Sequence, residues 1–253
     1  MLRKLLKYEI PALGRKLAPL YLAWAAASVV LGLALRTVDS RSELFYILSF
    51  MLYIGVVTAV GVMTVILIIQ RFNRSLLGDG GYFSLVLPVT PSTHIANKVI
   101  ASLIWLVLSA LAALLSILII LLLQEGAIRG LLSIEWSRIF AEISWPGVRN
   151  ALEFLLMTLC SLGKSILGIY AALTIGHQAR ERVTLASIGA YIGVMVFEGF
   201  VAWILIKADL QTHFMTVEEF QSFVWLGVLV SVALGAVYFL ICRYLMDKRL
   251  NLA

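Results

Sequence analysis

Residues 44–70 read LFYILSFMLYIGVVTAVGVMTVILIIQ, 27 consecutive positions without a charged side chain. A helix of about 20 apolar residues crosses the hydrocarbon core of a bilayer, and a longer one crosses with tilt. A surface helix of a water-soluble domain shows a polar face toward solvent, and this stretch has none. The segment therefore predicts a transmembrane helix.

Five further stretches follow the same rule: about Leu17–Leu35, Val99–Leu123, Ala151–Ile175, Val183–Ile206 and Gln221–Tyr244. With Leu44–Gln70 they make six spans. The whole chain of 253 residues is 62% hydrophobic and only 13% charged, whereas soluble domains carry about 25% charged residues. Six spans consume about 120 residues. The remainder suffices for loops but not for a separate catalytic domain, so residues 1–253 read as one transmembrane domain.

Upstream, Leu2, Leu5, Leu6, Ile10, Leu13 and Leu17 recur at helical spacing, while Arg3, Lys4, Lys7, Arg15 and Lys16 take other positions. Residues 1–16 thus predict a basic amphipathic helix lying in the headgroup plane, bent at Pro11. The following apolar stretch is too long for a signal-peptide core and is expected to be retained. The interruption from Gln124 to Asn150 mixes Glu135, Arg138 and Glu142 with Ile134, Trp136, Ile139 and Phe140. It predicts a second interfacial helix, stopped near Pro146.

The net charge is +6, and its distribution decides its meaning. With the N-terminus inside, inner segments hold thirteen Lys and Arg and outer segments six, Lys164 lying within a span. That asymmetry predicts both termini in the cytoplasm. No basic stripe interleaved with aromatics lies outside the spans, so nucleic acid is not an expected partner. The expected class is an all-α membrane protein: six transmembrane helices, an N-terminal interfacial helix, both termini cytoplasmic.

Enzymatic signals are lacking. Gly163-Lys164-Ser165 mimics the end of a phosphate-binding loop, but Thr158 stands where the motif needs a glycine, and the triplet lies inside an apolar helix. No G-x-S-x-G or H-E-x-x-H occurs. His94, His177 and His213 fall in polar segments on both sides of the membrane. Cys160 and Cys242 lie in apolar segments without ligand spacing and read as packing residues. No metal, cofactor or enzymatic activity is expected in this chain.

The polar stretch between the second and third spans is the most informative loop. Asp79 can cap a short helix from Gly80 to Leu87, ended by Pro88, and Thr90 can cap the next helix with Pro91 at its first position. The short helix would carry Tyr82, Phe83, Leu85, Val86 and Leu87 on a small inner loop. Docking on another protein and dipping into lipid headgroups both fit that pattern.

The run RFNRSLLGDGGYFSLVLPVTPSTHIANKVIASLIW, residues 71–105, resembles the cytoplasmic-loop signature of type-2 ABC exporter permeases of Gram-positive bacteria. Asp79, Gly81, Tyr82, Leu87, Pro88, Val89 and Lys98 match it. Gly80 stands where the family has an acidic residue, and Val86 where it has threonine. Residues 2–22, 169–193 and 238–252 are also similar to the family, so the resemblance runs from end to end. It implies a multi-pass protein of the bacterial plasma membrane, a homo- or heterodimer of permeases, and cytosolic ABC ATPase subunits that bind ATP and Mg. It further implies that residues 71–98 form the coupling segment, with Asp79, Gly81, Tyr82, Phe83, Leu87 and Pro88 toward the ATPase. His177, Arg180 and Arg182 would make a second inner contact. The cargo class it suggests is a peptide, lipid or amphipathic drug. A receptor or immunity protein that binds a toxic peptide without moving it is the alternative.

Glu153, Lys164 and Glu198 lie within spans, where a charge costs about 2.5–3.5 kcal/mol at the helix centre on insertion scales. Either Lys164 and Glu198 pair and fix helix packing, or these groups line a polar path. Gly189 and Gly193 form a GxxxG face suited to close helix packing within the subunit or at a dimer interface. Trp24, Trp105, Trp203 and Trp225 read as interfacial or lipid-facing.

The predicted topology is open to a direct measurement. In a variant with Cys160 and Cys242 replaced, a cysteine introduced at Tyr82 should react with an impermeant thiol reagent only from the cytoplasmic face. One introduced at Arg36 should react only from outside.

Overall fold

The computed structural model describes residues 2–36, 43–77, 90–124, 126, 130, 133, 144–179, 182–209 and 217–248. Among these residues the fold is helical, with no strand. The elements are α1 (Leu2–Arg36), α2 (Glu43–Phe72), α3 (Pro91–Leu122), α4 (Trp145–Gly176), α5 (Val183–Asp209) and α6 (Val217–Lys248). All six contain stretches long and apolar enough to cross a membrane. Large side chains such as Met51, Leu114, Ile192, Val196 and Leu229 are exposed on the protein surface. So many exposed apolar groups fit lipid rather than water, as expected of a multi-pass membrane protein.

Several element ends differ from the sequence reading. The N-terminal amphipathic stretch and the first span are one continuous helix, α1, which contains both Pro11 and Pro19. Each proline removes one backbone donor, yet the helix is not divided. At 1.5 Å per residue its 35 residues extend about 52 Å, well beyond a hydrocarbon thickness of about 30 Å. α2 runs past Gln70 to Phe72 and continues as a π-helical turn, Asn73–Leu77. α3 begins at Pro91, where a missing N–H costs no hydrogen bond. The Thr90 carbonyl accepts from His94 N, and its hydroxyl pairs with that of Thr93 rather than with a backbone N–H.

Pro146 starts a helix instead of stopping one. Ser144, extended at φ −80° and ψ 144°, caps α4, and its Oγ accepts from Gly147 N at 3.3 Å. α4 therefore begins six residues before Ala151. The short helices expected at 80–87 and between 124 and 144 lie outside the described residues or are described only in part.

Backbone proximity divides the chain into two compact units. One comprises Arg3–Ile68 and Ile104–Ile143. In it the Tyr21 and Ser109 hydroxyls are 2.6 Å apart, and Gly32 lies against Leu123 and Ile120. α1 and α3 therefore run side by side in the same direction. Tyr53 hydrogen-bonds Ser116, while Leu67 is buried with Leu13 and Leu17, so α2 runs against both. Trp105 lies over Gly14, where a Cβ would come within 2.8 Å of its ring, and donates to Ile10 O at 3.2 Å. Trp24 is buried and Trp105 half-buried against Tyr21. Trp24 is thus a packed residue and not the interfacial or lipid-facing one expected, because an apolar ring suits protein core and lipid equally.

The other unit comprises Met1–Leu2, Ile69–Leu103 and Ser144–Ala253. α4 packs most extensively on α6 and next on α5. Glu153 meets Gln221, Met157 lies at Gly227, and Thr174 meets Cys242, so α4 and α6 run parallel. Lys164 meets Glu198, Gly168 lies at Val194 and Gly176 at Ser187, so α5 runs antiparallel to α4. The α4 positions 153, 157, 164, 167 and 174 that face α6 follow the alternating three- and four-residue steps of a coiled-coil seam.

Gly176 is required by this packing. A Cβ there would lie 2.6 Å from both Cα and N of Ser187, and backbone cannot swing aside as a long side chain can. Gly176→Ala should lower stability by about 1–3 kcal/mol in a detergent unfolding titration. Gly189→Ala, where nothing stands within 4 Å, should be neutral or slightly stabilising through helix propensity.

Candidate functional site

The intramembrane charges resolve into two clusters on α4. Lys164 Nζ donates to Glu198 Oε2 at 2.6 Å, and Tyr238 OH donates to Glu198 Oε1 at 3.1 Å. Three helices thus meet at one carboxylate. Lys164 and Glu198 retain side-chain exposures of 15% and 26%, so neither is sealed in the interior. The pair is neutral as a whole, and both carboxylate oxygens are occupied. That is the arrangement by which an ion pair becomes tolerable in a low-dielectric medium.

Glu153 belongs to a separate cluster nearer the start of α4. Its Oε1 accepts from Gln221 Nε2 at 3.3 Å and lies 3.7 Å from Arg149 Nε. Arg149 in turn donates to Gln221 Oε1 at 3.1 Å. Gln221 is thereby both donor and acceptor and ties the first turns of α4 to α6. Glu153 and Lys164 share a helix without sharing a partner.

A third buried cluster was not legible in the sequence. Phe72 and Tyr170 are fully buried and stack with ring centroids 3.8 Å apart and planes 9° apart. Ser102 Oγ lies 2.9 Å from the Tyr170 hydroxyl. One turn further along α4, Thr174 donates to Tyr170 O and Ala171 O and lies 3.8 Å from Cys242 Sγ. His94, Asn97 and Lys98, preceding Ser102 on α3, are also buried. The only sequence signal for this cluster is the i, i+3, i+4, i+8 spacing of polar residues at the start of a span, which lipid would not favour.

The remaining candidates fall in different places. His177 caps α4: its backbone N–H donates to Leu173 O, and its Nδ1 lies 3.0 Å from that same carbonyl. Arg182 is exposed and opens α5, its carbonyl accepting from Ala186 N at 2.9 Å. Asp79, Gly81, Tyr82, Phe83, Leu87, Pro88 and Arg180 lie outside the described residues. Gly189 and Gly193 are exposed with open space before them. Gly189 precedes Glu198 by nine residues, half a turn out of phase, so it faces away from the ion pair. Gly163-Lys164-Ser165 sits in the middle of α4 with Lys164 committed to Glu198. Trp203 is exposed, with Lys207 Nζ 4.8 Å from its ring centroid. Such a Trp–Lys pair suits a membrane interface. Among the described residues no group of His, Cys, Asp and Glu could hold a metal ion.

Comparisons with protein-family models, curated proteins and solved structures find no match to this chain.

The ion pair yields a stability test. Lys164→Met or Glu198→Met alone leaves the remaining charge without its interhelical partner and should cost about 1–2 kcal/mol in unfolding from mixed micelles. The double variant Lys164→Met/Glu198→Met should recover most of that loss.

Proposed function

We propose that this chain is the membrane-spanning subunit of an ATP-driven exporter, working with separate cytosolic ATPase subunits and a second permease in the plasma membrane of a bacterium. The observation that carries the reading is the run at residues 71–105, with its D-x-G-Y and L-P-V elements and Lys98 at the head of α3. Six helices fit to cross a membrane and the inner excess of Lys and Arg support it.

In this reading the chain performs no covalent chemistry. ATP binding in the partner displaces residues 78–89 and biases α1–α6 between two packings. An effector shifts such an equilibrium only by its difference in affinity for the two states. The α4–α5–α6 assembly suits such a shift, because its charges are neutralised internally and helices can move past lipid without exposing a bare ion. Cargo with little net charge, such as an amphipathic peptide or lipid, suits a bundle this apolar.

The test is assembly followed by transport. An ATP-binding subunit should co-purify with the chain, and Leu87→Asp or Tyr82→Asp should abolish co-purification while the permease itself still inserts. Liposomes carrying the complex should then move an amphipathic peptide only with hydrolysable ATP. Peptide binding without movement would favour a receptor or immunity protein instead.

A further inference from the structure

Tyr170 occupies a junction. Its ring is stacked on Phe72, the last residue of α2 before the π-helical turn, and its hydroxyl is bonded to Ser102 in the fourth turn of α3. Phe72 and Ser102 stand on the two helices that flank residues 78–89. One side chain on α4 therefore holds both flanks of that segment. All three side chains are buried.

The two attachments differ mechanically. From Pro91 to Ser102 α3 is regular α-helix, a stiff rod that carries displacement of its first turn to the Ser102 hydroxyl. On the other side, a π-helical turn begins directly after Phe72. Such turns are rare, lie frequently at functional sites and are among the places where helices kink. Phe72 is held by the Tyr170 ring at the point where the regular α-helix ends, and Leu76 and Leu77 of the turn are buried as well. The stack thus meets the chain beside an irregular turn, and the Ser102–Tyr170 hydrogen bond is the contact with the rod.

What lies on α4 around Tyr170 gives that contact a destination. Lys164 is six residues earlier, about 9 Å along the axis. Gly168 lies against Val194 and Tyr238, and Thr174 against Cys242. Within two turns of Tyr170, α4 thus touches both α5 and α6, the helices that carry Glu198 and Tyr238.

We propose that Tyr170 is a positioning residue through which displacement of the start of α3 enters the α4–α5–α6 assembly, its hydroxyl transmitting and its ring anchoring. The source of the displacement, an ATPase acting on residues 78–89, rests on the exporter reading above; the mechanical link does not.

The first measurement needs no partner. In nanodiscs, Pro91→Gly loosens the first turn of α3, and amide hydrogen exchange of residues 164–176 is followed. In the parent chain exchange there should rise several-fold. In a Tyr170→Phe background, which keeps the stack and loses the hydroxyl, it should not respond, and the denaturation midpoint should stay within about 4 °C of the parent. An equal rise in both backgrounds, or none in the parent, overturns the proposal. The second measurement uses the reconstituted complex: Tyr170→Phe should keep the ATPase bound and hydrolysing while cargo movement falls at least tenfold. Full movement in that variant overturns the joint and leaves the exporter reading standing. If no ATPase assembles with the parent chain, the exporter reading fails and the exchange experiment alone decides the link.

Discussion

Hydrocarbon offers no hydrogen bonds, so each polar group placed within it must be answered by the protein itself. That constraint organises this molecule more than any apolar contact does. Lipid is as hydrophobic as leucine and gives helices little reason to associate. What lipid cannot supply is a partner for Lys164, Glu198 or Tyr238, and those three side chains sit on three different helices. Hydroxyls follow the same rule by a shorter route. Ser28, Ser49, Thr64, Thr158 and Ser165 each donate to the carbonyl four residues back, which satisfies them without a neighbouring helix.

α4 is where these requirements converge. Along one helix it meets α6 through Glu153, Met157, Lys164 and Thr174, α5 through Lys164, Gly168 and Gly176, and α2 and α3 through Tyr170. Glycines allow the backbones to approach. Gly168, Gly227 and Gly235 line the seam with α6, and Gly176 admits the second turn of α5 at Ser187. A helix so committed on several sides cannot shift alone, and any rearrangement of this unit is a rearrangement of α4 with its partners.

The number and order of helices were legible in the sequence because a bilayer imposes a length, and six apolar runs meet it. Their packing was legible only in part. The Lys164–Glu198 pair was one of two readings of the same charges, and Tyr238, forty residues from Glu198, carried no mark that set it apart from interfacial tyrosines. Trp24 is packed inside the protein where the sequence suggests an interfacial or lipid-facing residue, because hydropathy cannot separate a residue facing lipid from one facing another helix. The extension of α2 through Asn73–Leu77 was hidden by Arg71 and Arg74, which look like the start of a loop. The Phe72–Tyr170–Ser102 cluster was hidden for a related reason: its members sit at span ends, where polar and aromatic residues are ordinary.

The antiparallel pairing of α4 with α5 bears on how the chain enters the bilayer during synthesis. Lys164 and Glu198 are 34 residues apart, and only residues 177–182 separate α4 from α5, so the hairpin can form as soon as α5 has emerged from the ribosome. The charges on the two helices can then cancel before α6 has entered the bilayer. Tyr238 arrives later and finds a neutral dipole to bind, not a naked carboxylate. The lysine of nascent α4 then waits unpaired only until the next helix enters, and the shortness of the intervening segment keeps that interval brief.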